Sequence, residues 1–276
     1  MFYIKKFIIL ILIIYYTSLN NKQFKICLCT IAKYENKYIK EFIEHYKKYG
    51  VDKIYLYDNN DLNGENFDFL FNEIDPKFLE IINYRGKKRQ QMLIYNNCYH
   101  NNYHKYKWLM FYDVDEYIYL KQYSNIHNYL SQIKFIKCNS IYLNWVIHTD
   151  NNLICYDNSI ENIKITSVHT LDRKINRCDG FGKIFITKTR NCKFPDYKYN
   201  FIDHYKYKST QEFVEKINIK GDGVYDDSEE LKYQKIFSYL NANEIKFEKI
   251  QYLEKYTGLN ITYIFEKLHL KKVKII

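Results

Sequence analysis

A stretch in the middle of the chain constrains the fold more than any other part. Large apolar residues run from Trp108 to Tyr112 and lead directly into Asp113, Asp115 and Glu116. A continuous apolar run of this kind predicts a strand that is buried on both faces, as in a parallel sheet covered by helices. The acids then lie at the carboxyl end of that strand, where open α/β sheets bind their ligands.

The two aspartates of this stretch have the spacing of a metal site. In an extended chain, residues two apart share a face, so Asp113 and Asp115 are expected to point the same way. Neighbouring carboxylates repel unless a cation lies between them, and oxygen ligands suit Mg²⁺ or Mn²⁺, whose coordination substrate phosphates can complete. The pattern favours a divalent-metal site for a sugar nucleotide; the alternative is a strand that ends in a solvated acidic turn.

Strand and helix patterns alternate on both sides of this stretch. The patterns predict strands at 24–31, 51–57, 78–84, 108–112, 140–147 and 182–187. They predict helices at 35–49, 66–72, 88–104, 124–135, 209–218, 229–240 and 260–270. Alternation of this kind argues for an α/β fold with a mostly parallel sheet and crossover helices. Gly221–Gly223 marks the expected boundary between a main domain, 22–225, and a helical C-terminal extension, 226–276.

The first residues have the pattern of a membrane anchor. Lys5 and Lys6 precede an apolar run from Phe7 to Tyr16, which is shorter than the roughly 20 residues of a full span. Positive charge before a short apolar core is typical of a signal peptide or signal anchor, and no small-residue cleavage site follows. We predict an uncleaved anchor within residues 1–20 that attaches the protein to a membrane; a buried or amphipathic first helix is the alternative.

Charge and cysteine content narrow the class of partner. The net charge of +10 would suit nucleic acid or an anionic membrane, but the basic residues are mostly scattered and no nucleic-acid motif occurs, so we expect no nucleic-acid partner. A basic surface also suits a substrate that carries a diphosphate. The seven cysteines include no CxxC pair, which excludes zinc-ligand spacing, and Cys27 and Cys29 are expected to be small core residues.

Several blocks, in order along the chain, resemble one family. They are Ile31–Asn36 with Tyr38–Phe42; Gly50–Asn59; Arg85 and Gly86 with Gln91, Tyr95 and Cys98; Trp108 with Asp113–Glu116; Asn144 and Trp145 with Asp150 and Asn151; Lys183; and His204–Ser209 with Phe213, Lys216 and Gly221. From about Phe24 to Gly221 the chain resembles glycosyltransferase family 92 and related family-2-like enzymes of the GT-A fold. The resemblance implies a Rossmann-like, mostly parallel sheet flanked by helices. It also implies metal-dependent, inverting transfer of a sugar from a nucleoside-diphosphate sugar to a glycan hydroxyl.

The resemblance also implies roles for particular residues. Asp113 and Asp115 occupy the positions of the family's metal-binding aspartates, and His204 matches a further ligand to Mn²⁺ or Mg²⁺. Asp58 resembles the acid that binds the nucleotide base, although it could instead cap its own turn. Glu35 either touches the donor or caps the first helix. The candidates for contact with the donor diphosphate are the cations Arg85, Lys183 and Lys216. Asp113 is also expected at the donor site, through the metal.

The acceptor side of the site is less defined by the sequence. A carboxylate must deprotonate the acceptor hydroxyl, and Asp150 is the preferred base, with Asp179 as the alternative and Asp226 or Asp227 still open. Trp145 either provides an apolar face for a sugar ring or belongs to the core. The family usually has glycine-rich sequence just after this tryptophan, and this chain does not.

The resemblance implies a hexosyltransferase, with galactose as one candidate sugar, that uses a UDP-sugar and an acceptor glycan on a glycoprotein or glycolipid. In a eukaryote, the anchor predicts a single-pass type II protein of a Golgi or ER-like membrane. The alternative is a catalytically inactive nucleotide-sugar-binding protein of the same fold. A phosphotransferase or nuclease that uses the same acids is a third hypothesis, which the lack of a P-loop and of further paired acids disfavours.

Overall fold

The computed structural model describes residues 24–135, 138, 140–148, 184–186, 191–193, 198–221, 228–243 and 247–261. Several predictions fall outside these ranges: the anchor within 1–20, the candidate bases Asp150, Asp179, Asp226 and Asp227, and the candidate phosphate contact Lys183. Within the ranges above, no helix has both the length and the apolar character needed to cross a membrane.

A four-stranded parallel sheet forms the framework of the molecule. Its strands are β1 (Ile26–Ala32), β2 (Lys53–Asp58), β3 (Leu79–Asn83) and β4 (Trp108–Phe111), in the spatial order β3-β2-β1-β4. All three neighbouring pairs run parallel. Parallel neighbours require crossover connections, so the alternation of strands and helices in the sequence leads to this topology. The predicted α/β class is confirmed, and every residue of β4 is buried, as its apolar run predicted.

Helices cover both faces of this sheet. They are α1 (Ile39–Lys48), a 3₁₀ helix at Asp68–Asn72, α2 (Gln91–Asn102) and α3 (Ile126–Leu130). Side chains of β1 alternate between two buried clusters: Ile26 and Leu28 share one with Phe42 of α1, and Cys27 shares the other with Ile94 of α2. Successive side chains of a strand point to opposite faces of the sheet, and both faces are buried. This is why the strand sequences are hydrophobic at nearly every position.

Cys29 of β1 forms a disulfide with Cys98 of α2. The prediction that Cys29 is a small core residue is confirmed, since it is fully buried, but the prediction did not foresee its partner across the sheet–helix interface. Cys138 is also disulfide-bonded. Cys27 is buried and free, and burial raises the pKa of its thiol well above the ordinary value. The spacing of cysteines contained no signal for the bridge, since 69 residues separate its two ends.

Two small sheets follow in the chain. β5 (Glu116–Leu120), β10 (Asn200–His204) and β7 (Trp145–Ile147) form one of them, with β10 central, antiparallel to β5 and parallel to β7. β6 (Ser140–Tyr142), β8 (Ile184–Ile186) and β9 (Asn191–Lys193) form the other, with β6 central. The first of these sheets matters for function, because β5 begins directly after the acids of the central stretch.

A helical part completes the described chain. It comprises α4 (Thr210–Glu215), a π-helix at Lys216–Lys220, α5 (Glu229–Ala242) and α6 (Phe247–Thr257). A separate buried cluster joins these helices, with Phe213 of α4, Tyr239 of α5 and Leu253 of α6 among its members. The charged pattern at 229–240 correctly predicted α5, whereas α6 was not predicted. The predicted boundary at 225 falls outside the described ranges and stays a prediction.

Candidate functional site

The chain turns sharply after β4 instead of continuing as a strand. The backbone carbonyl of Asp113 accepts a hydrogen bond of 3.0 Å from the N–H of Glu116, which then begins β5. The expectation that Asp113 and Asp115 share one face of an extended chain is therefore wrong, because the chain forms a turn at these residues. The turn gives the two carboxylates different hydrogen-bonding partners, although both raise the pKa of Lys216.

Asp115 lies buried between an imidazole and an ammonium group. Its Oδ1 is 3.7 Å from Nε2 of His204, and its Oδ2 is 3.6 Å from Nζ of Lys216. The pairing of β5 with β10 sets His204 opposite Glu116, the residue next to Asp115. Burial alone would raise the pKa of Asp115, but Lys216 and His204 outweigh it and hold the pKa well below its ordinary value. The carboxylate is therefore ionised, which is the form that binds a cation.

Asp113 instead faces α2. Its Oδ1 accepts hydrogen bonds from Nε2 of Gln91 and from the hydroxyl of Tyr95, both 2.8 Å long. Its backbone N–H donates to Oε2 of Glu116 at 3.0 Å. Of the three predicted metal ligands, the structure thus brings Asp115 and His204 together and holds Asp113 against the helix.

The Asp115–His204 pair fits a divalent cation. Two bonds of about 2.1 Å span up to about 4.2 Å between the donor atoms, which accommodates their separation. Nδ1 of His204 is buried and finds no hydrogen-bond partner within the described part of the chain, while the ring of Trp145 packs beside it at 4.7 Å between centroids. Among the described residues, no three His, Cys, Asp or Glu side chains gather into a metal site. A metal here would have two convergent protein donors and would complete its coordination with substrate oxygens and water.

Three lysines approach the same place. Nζ of Lys208 is 3.0 Å from Oε2 of Glu35, and Nζ of Lys220 contacts Oε1 of the same carboxylate. Lys216 pairs with Asp115, as described above. We call these residues, Glu35, Asp115, Lys208, Lys216 and Lys220, the lysine cluster.

Local structure positions each lysine of the cluster. Lys208 precedes Ser209, whose side chain caps α4 by accepting from the N–H of Glu212. The Lys208 ammonium also lies 3.6 Å from the centroid of the Tyr38 ring, and the Tyr38 hydroxyl donates to Glu212. Lys216 and Lys220 stand at the two ends of the π-helix. The segment after β10 is thereby docked onto the loop that follows β1.

The charged groups of the lysine cluster shift one another's pKa values. Burial would raise the pKa of Glu35, but Lys208 and Lys220 hold it below the ordinary value. Burial would lower the pKa of Lys216, but Asp115 and Glu35 raise it above the ordinary value. For Lys220, burial together with the neighbouring lysines outweighs Glu35, so its pKa is lowered.

Glu35 has two separate roles in the structure. Its backbone carbonyl accepts hydrogen bonds from the N–H groups of Tyr38 and Ile39 and so begins α1. Its side chain turns into the lysine cluster, where it is 6% exposed. The preceding residue, Tyr34, has φ +54°, a left-handed conformation that is uncommon for a tyrosine. Hydrogen bonds hold this conformation: the Tyr34 N–H donates to Oδ1 of Asn60 and its hydroxyl to Oδ2 of Asp61.

Asp58 and Arg85 lie in a second group of side chains at the carboxyl edge of the sheet. Oδ1 of Asp58 accepts hydrogen bonds from the backbone N–H and the side-chain amide of Asn60, at 3.0 and 2.8 Å. Nδ2 of Asn59 donates to the carbonyl groups of Tyr84 and Lys87. We call Asp58, Asn59, Asn60 and Arg85 the amide-braced edge.

Arg85 is the centre of this edge. Its Nη2 lies within hydrogen-bonding distance of four backbone carbonyl groups, those of Asp61, Leu62, Gly64 and Glu65. Its Nε is 3.9 Å from Oδ2 of Asp58. Arg85 therefore secures the loop after β2 beside the predicted base-binding acid. Asp58 caps its own turn through Oδ1, as the alternative interpretation predicted. Its Oδ2 faces Arg85.

The sequence interpretation assigned no role to Lys208, Lys220, Gln91 or Tyr95. The blocks that resemble the family include Lys208, Gln91 and Tyr95. The resemblance therefore marked these positions, but nothing in the sequence indicated which side chains they contact. Lys220 follows Lys216 by four residues, a spacing that places both on neighbouring turns of a helix. That spacing could have identified the pair, but it occurs too often on solvated helices to be specific.

Comparison with known proteins gives one family and a few distant structures. The sequence model of glycosyltransferase family 92 matches residues 22–255. No curated protein matches the chain. Solved structures that match include S. aureus TarS, with a TM-score of 0.39 and 14% identity over 85% of this chain and 49% of that one. TarS 1–349 matches with a TM-score of 0.40 and 15% identity.

The complex of S. aureus TarS 1–349 with UDP also matches, with a TM-score of 0.44 and 12% identity over 90% of this chain and 75% of that one. TarS 1–349 itself matches over the same shares of the two chains. The chain thus spans about half the length of the first of these structures. Because all three TM-scores lie below 0.5, these likenesses carry no inference about this chain.

Proposed function

This chain belongs to glycosyltransferase family 92, and on that premise we propose that it moves a sugar from a nucleoside-diphosphate sugar to a hydroxyl group of a glycan. The observation that carries the proposal is the convergence of Asp115 and His204 beside three half-buried lysines, at the carboxyl edge of a parallel sheet. A carboxylate and an imidazole suit a divalent cation, and ammonium groups suit phosphate oxygens.

Each described residue then has a defined task. Asp113, fixed by α2, supports the same turn and would lie near the donor. Asp115 and His204 would hold Mn²⁺ or Mg²⁺, and the cation would stabilise the negative charge that develops on the departing diphosphate. Lys216 neutralises the same charge from the π-helix. Asp58 accepts a hydrogen bond from the nucleotide base, which we propose to be uracil.

The proposed transfer inverts the anomeric carbon. The acceptor hydroxyl attacks that carbon from the side opposite the diphosphate and loses its proton to a carboxylate. Asp150 is the proposed base and Asp179 the alternative. Trp145 packs against His204, and this contact beside the proposed metal site supports the proposal that one face of its ring contacts the sugar. The proposed sugar is a hexose, with galactose as the first to test, and the proposed acceptor is a glycan on a glycoprotein or glycolipid.

We further propose that residues 1–20 anchor the protein as a single-pass type II protein of a Golgi or ER-like membrane in a eukaryotic cell. The disulfide between Cys29 and Cys98 supports this location, because disulfides persist in the lumen of the secretory pathway and are rare in the cytosol. Expression with a tag at either end, followed by protease protection of microsomes, tests the orientation: only the amino-terminal tag should be digested.

A thermal-shift panel of nucleotide sugars, with and without Mn²⁺, tests the donor and the metal together. A ligand that binds only the native state raises the apparent stability, so the correct donor should raise the unfolding temperature more when Mn²⁺ is present. Transfer to glycan acceptors should stop after chelation and return with Mn²⁺ or Mg²⁺. Unchanged transfer by thoroughly chelated protein would rule out a required metal, and donor binding without any transfer or hydrolysis would favour the inactive binding protein.

A further inference from the structure

The lysine cluster contains a carboxylate, Glu35, to which the proposed metal site and the proposed base assign no role. Both oxygens of Glu35 are used, and each contacts a different lysine. The side chain is 6% exposed. Two ammonium groups on separate oxygens of one buried anion resemble the way two lysines hold separate oxygens of a phosphate group.

We propose that Glu35 is an internal substitute for the diphosphate of the donor: it holds Lys208 and Lys220 in place in the free protein and gives them up to phosphate oxygens when the donor binds. This inference rests on the proposed function, because it assigns the two lysines to the same diphosphate. It makes Glu35 a positioning residue, which acts through the lysines, and it makes Lys208 and Lys220 ligands of the diphosphate beside Lys216.

The charges of the cluster give such a substitute a physical reason. Lys208, Lys216 and Lys220 bring three half-buried ammonium groups close together, and burial with the two neighbouring lysines lowers the pKa of Lys220. Asp115 pairs with Lys216, so Lys208 and Lys220 depend on another anion to offset their mutual repulsion. Glu35 removes this conflict while the phosphate is absent.

The backbone aims Glu35 at the lysines. Tyr34, immediately before it, is held at φ +54° by hydrogen bonds from its N–H and its hydroxyl to Asn60 and Asp61. A left-handed residue turns the chain sharply, so Glu35 leaves the edge of β1 and points toward the segment that carries the lysines. Strain of this kind persists only where surrounding contacts enforce it, and it is common at ligand sites.

The same arrangement makes Glu35 a competitor of the phosphate. Removal of its charge should leave Lys208 and Lys220 without their carboxylate partner in the free protein, which lowers stability, and should also leave a more positive site, which strengthens anion binding. A carboxylate with a purely structural role would give a different result, because its loss would weaken both the fold and the binding. Lower stability together with tighter anion binding would therefore identify Glu35 as an internal substitute for the diphosphate.

Inorganic pyrophosphate is the probe, measured by calorimetry on the full chain at fixed ionic strength and without metal. We expect Glu35→Gln to unfold at a lower temperature than the wild type in the absence of ligand and to bind pyrophosphate about 10-fold more tightly, since one charged hydrogen-bond partner is worth a factor of this order. Lys220→Met should bind pyrophosphate about 10-fold more weakly. The matched control is Lys255→Met, which removes the same charge from an exposed position in α6 and should bind as the wild type does.

Equal or weaker pyrophosphate binding by Glu35→Gln overturns the inference. Should that variant fail to fold, Glu35→Gln combined with Lys220→Gln removes the pair as a neutral unit. The double variant should bind pyrophosphate more tightly than Lys220→Gln alone, and equal or weaker binding overturns the inference again. The proposed function is tested separately by wild-type binding of sugar nucleotides with Mn²⁺: if the wild type binds them and Glu35→Gln binds pyrophosphate no better, the function stands and the inference fails.

Discussion

The two groups of side chains at the carboxyl edge of the sheet are held by different interactions. The amide-braced edge uses hydrogen bonds between side chains and backbone groups of neighbouring loops, with Arg85 donating to four carbonyl groups. The lysine cluster uses ion pairs between segments that are 173 and 185 residues apart in the chain. Hydrogen bonds to the backbone fix the shape of a loop, whereas an ammonium group can exchange one anion for another.

This difference separates residues that keep the site in shape from residues that act on the substrate. Losing Arg85 removes one donor from four backbone carbonyl groups at once, which destabilises the loop. A lysine that loses its carboxylate can still find a phosphate. We therefore expect substitutions in the amide-braced edge to affect stability more than activity, and substitutions in the lysine cluster to do the reverse.

Asp115→Asn gives the largest expected effect. The amide keeps the shape of the side chain but carries no charge for a cation, so we expect transfer to fall by about 1,000-fold while the unfolding temperature changes by only a few degrees. Product formation at saturating donor and a thermal melt measure the two quantities. Asp68→Asn, which removes the charge of an exposed carboxylate on the 3₁₀ helix, is the control. Normal transfer by Asp115→Asn would contradict the assignment of this residue to the metal.

Removal of the Cys29–Cys98 disulfide tests the parallel sheet that carries both the amide-braced edge and the lysine cluster. Replacement of both cysteines by serine restores freedom to a long loop of the unfolded chain, and we expect the free energy of unfolding to fall by about 3 kcal/mol. Transfer per folded molecule should be retained, because neither cysteine touches the site. Urea denaturation and active-site titration measure the two, with Cys27→Ala as a variant that keeps the bridge. Loss of transfer without loss of stability would show that the bridge acts on the site itself.

Arg85→Met tests the amide-braced edge. The variant removes the donor shared by four carbonyl groups, and we expect it to lower the free energy of unfolding by about 2 kcal/mol. The KM for the donor should change by less than about 3-fold if the arginine acts on the loop alone. Lys88→Met, which removes a charge from an exposed neighbour, is the control. A rise of KM well beyond this, with unchanged stability, would instead make Arg85 a ligand of the diphosphate.

Lowering the pH gives the smallest expected effect, a loss of stability. It distinguishes the contribution of the sheet and its helices from that of the lysine cluster. Burial lowers the pKa of His45 on α1 to about 4, although its Nε2 is within hydrogen-bonding distance of the carbonyl of Ile118. The unfolded chain, with an ordinary histidine pKa of about 6.5, binds more protons between these values, so stability falls as the pH falls through this window. From pH 7.5 to pH 5.5 we expect a loss of about 1 kcal/mol from this residue.

Denaturation of the wild type and of His45→Asn across this range measures the effect. The variant should lose about 1 kcal/mol less than the wild type between pH 7.5 and pH 5.5. Glu35 stays ionised in this window because its pKa is lowered, so the ion pairs of the lysine cluster should not contribute to the difference. Parallel losses in both proteins would assign the acid sensitivity to other groups.

The sequence predicted what depends on local patterns. The apolar run before Asp113 correctly gave a buried parallel strand, and the alternation of patterns gave the sheet. The resemblance to the family paired Asp115 with His204, which lie 3.7 Å apart although 89 residues separate them in the chain (204 − 115).

The remaining features depend on three-dimensional contacts that leave no local pattern. The turn at Asp113–Glu116 could not be distinguished from a continuing strand, because alternating acids and apolar residues suit either. The pairing of Glu35 with Lys208 and Lys220, and that of Cys29 with Cys98, depend on distant segments whose own sequences look like ordinary loops and helices. Single lysines in a chain this rich in lysine carry little information until their partners are known.

The turn after β4 brings one more carboxylate, Asp113, close enough to raise the pKa of Lys216. Glu35, Asp113 and Asp115 offset much of the positive charge of Lys208, Lys216 and Lys220. An anion that enters this site must therefore displace a carboxylate or bring a cation with it. We expect a sugar nucleotide to bind more tightly when its divalent cation enters with it than when it enters alone.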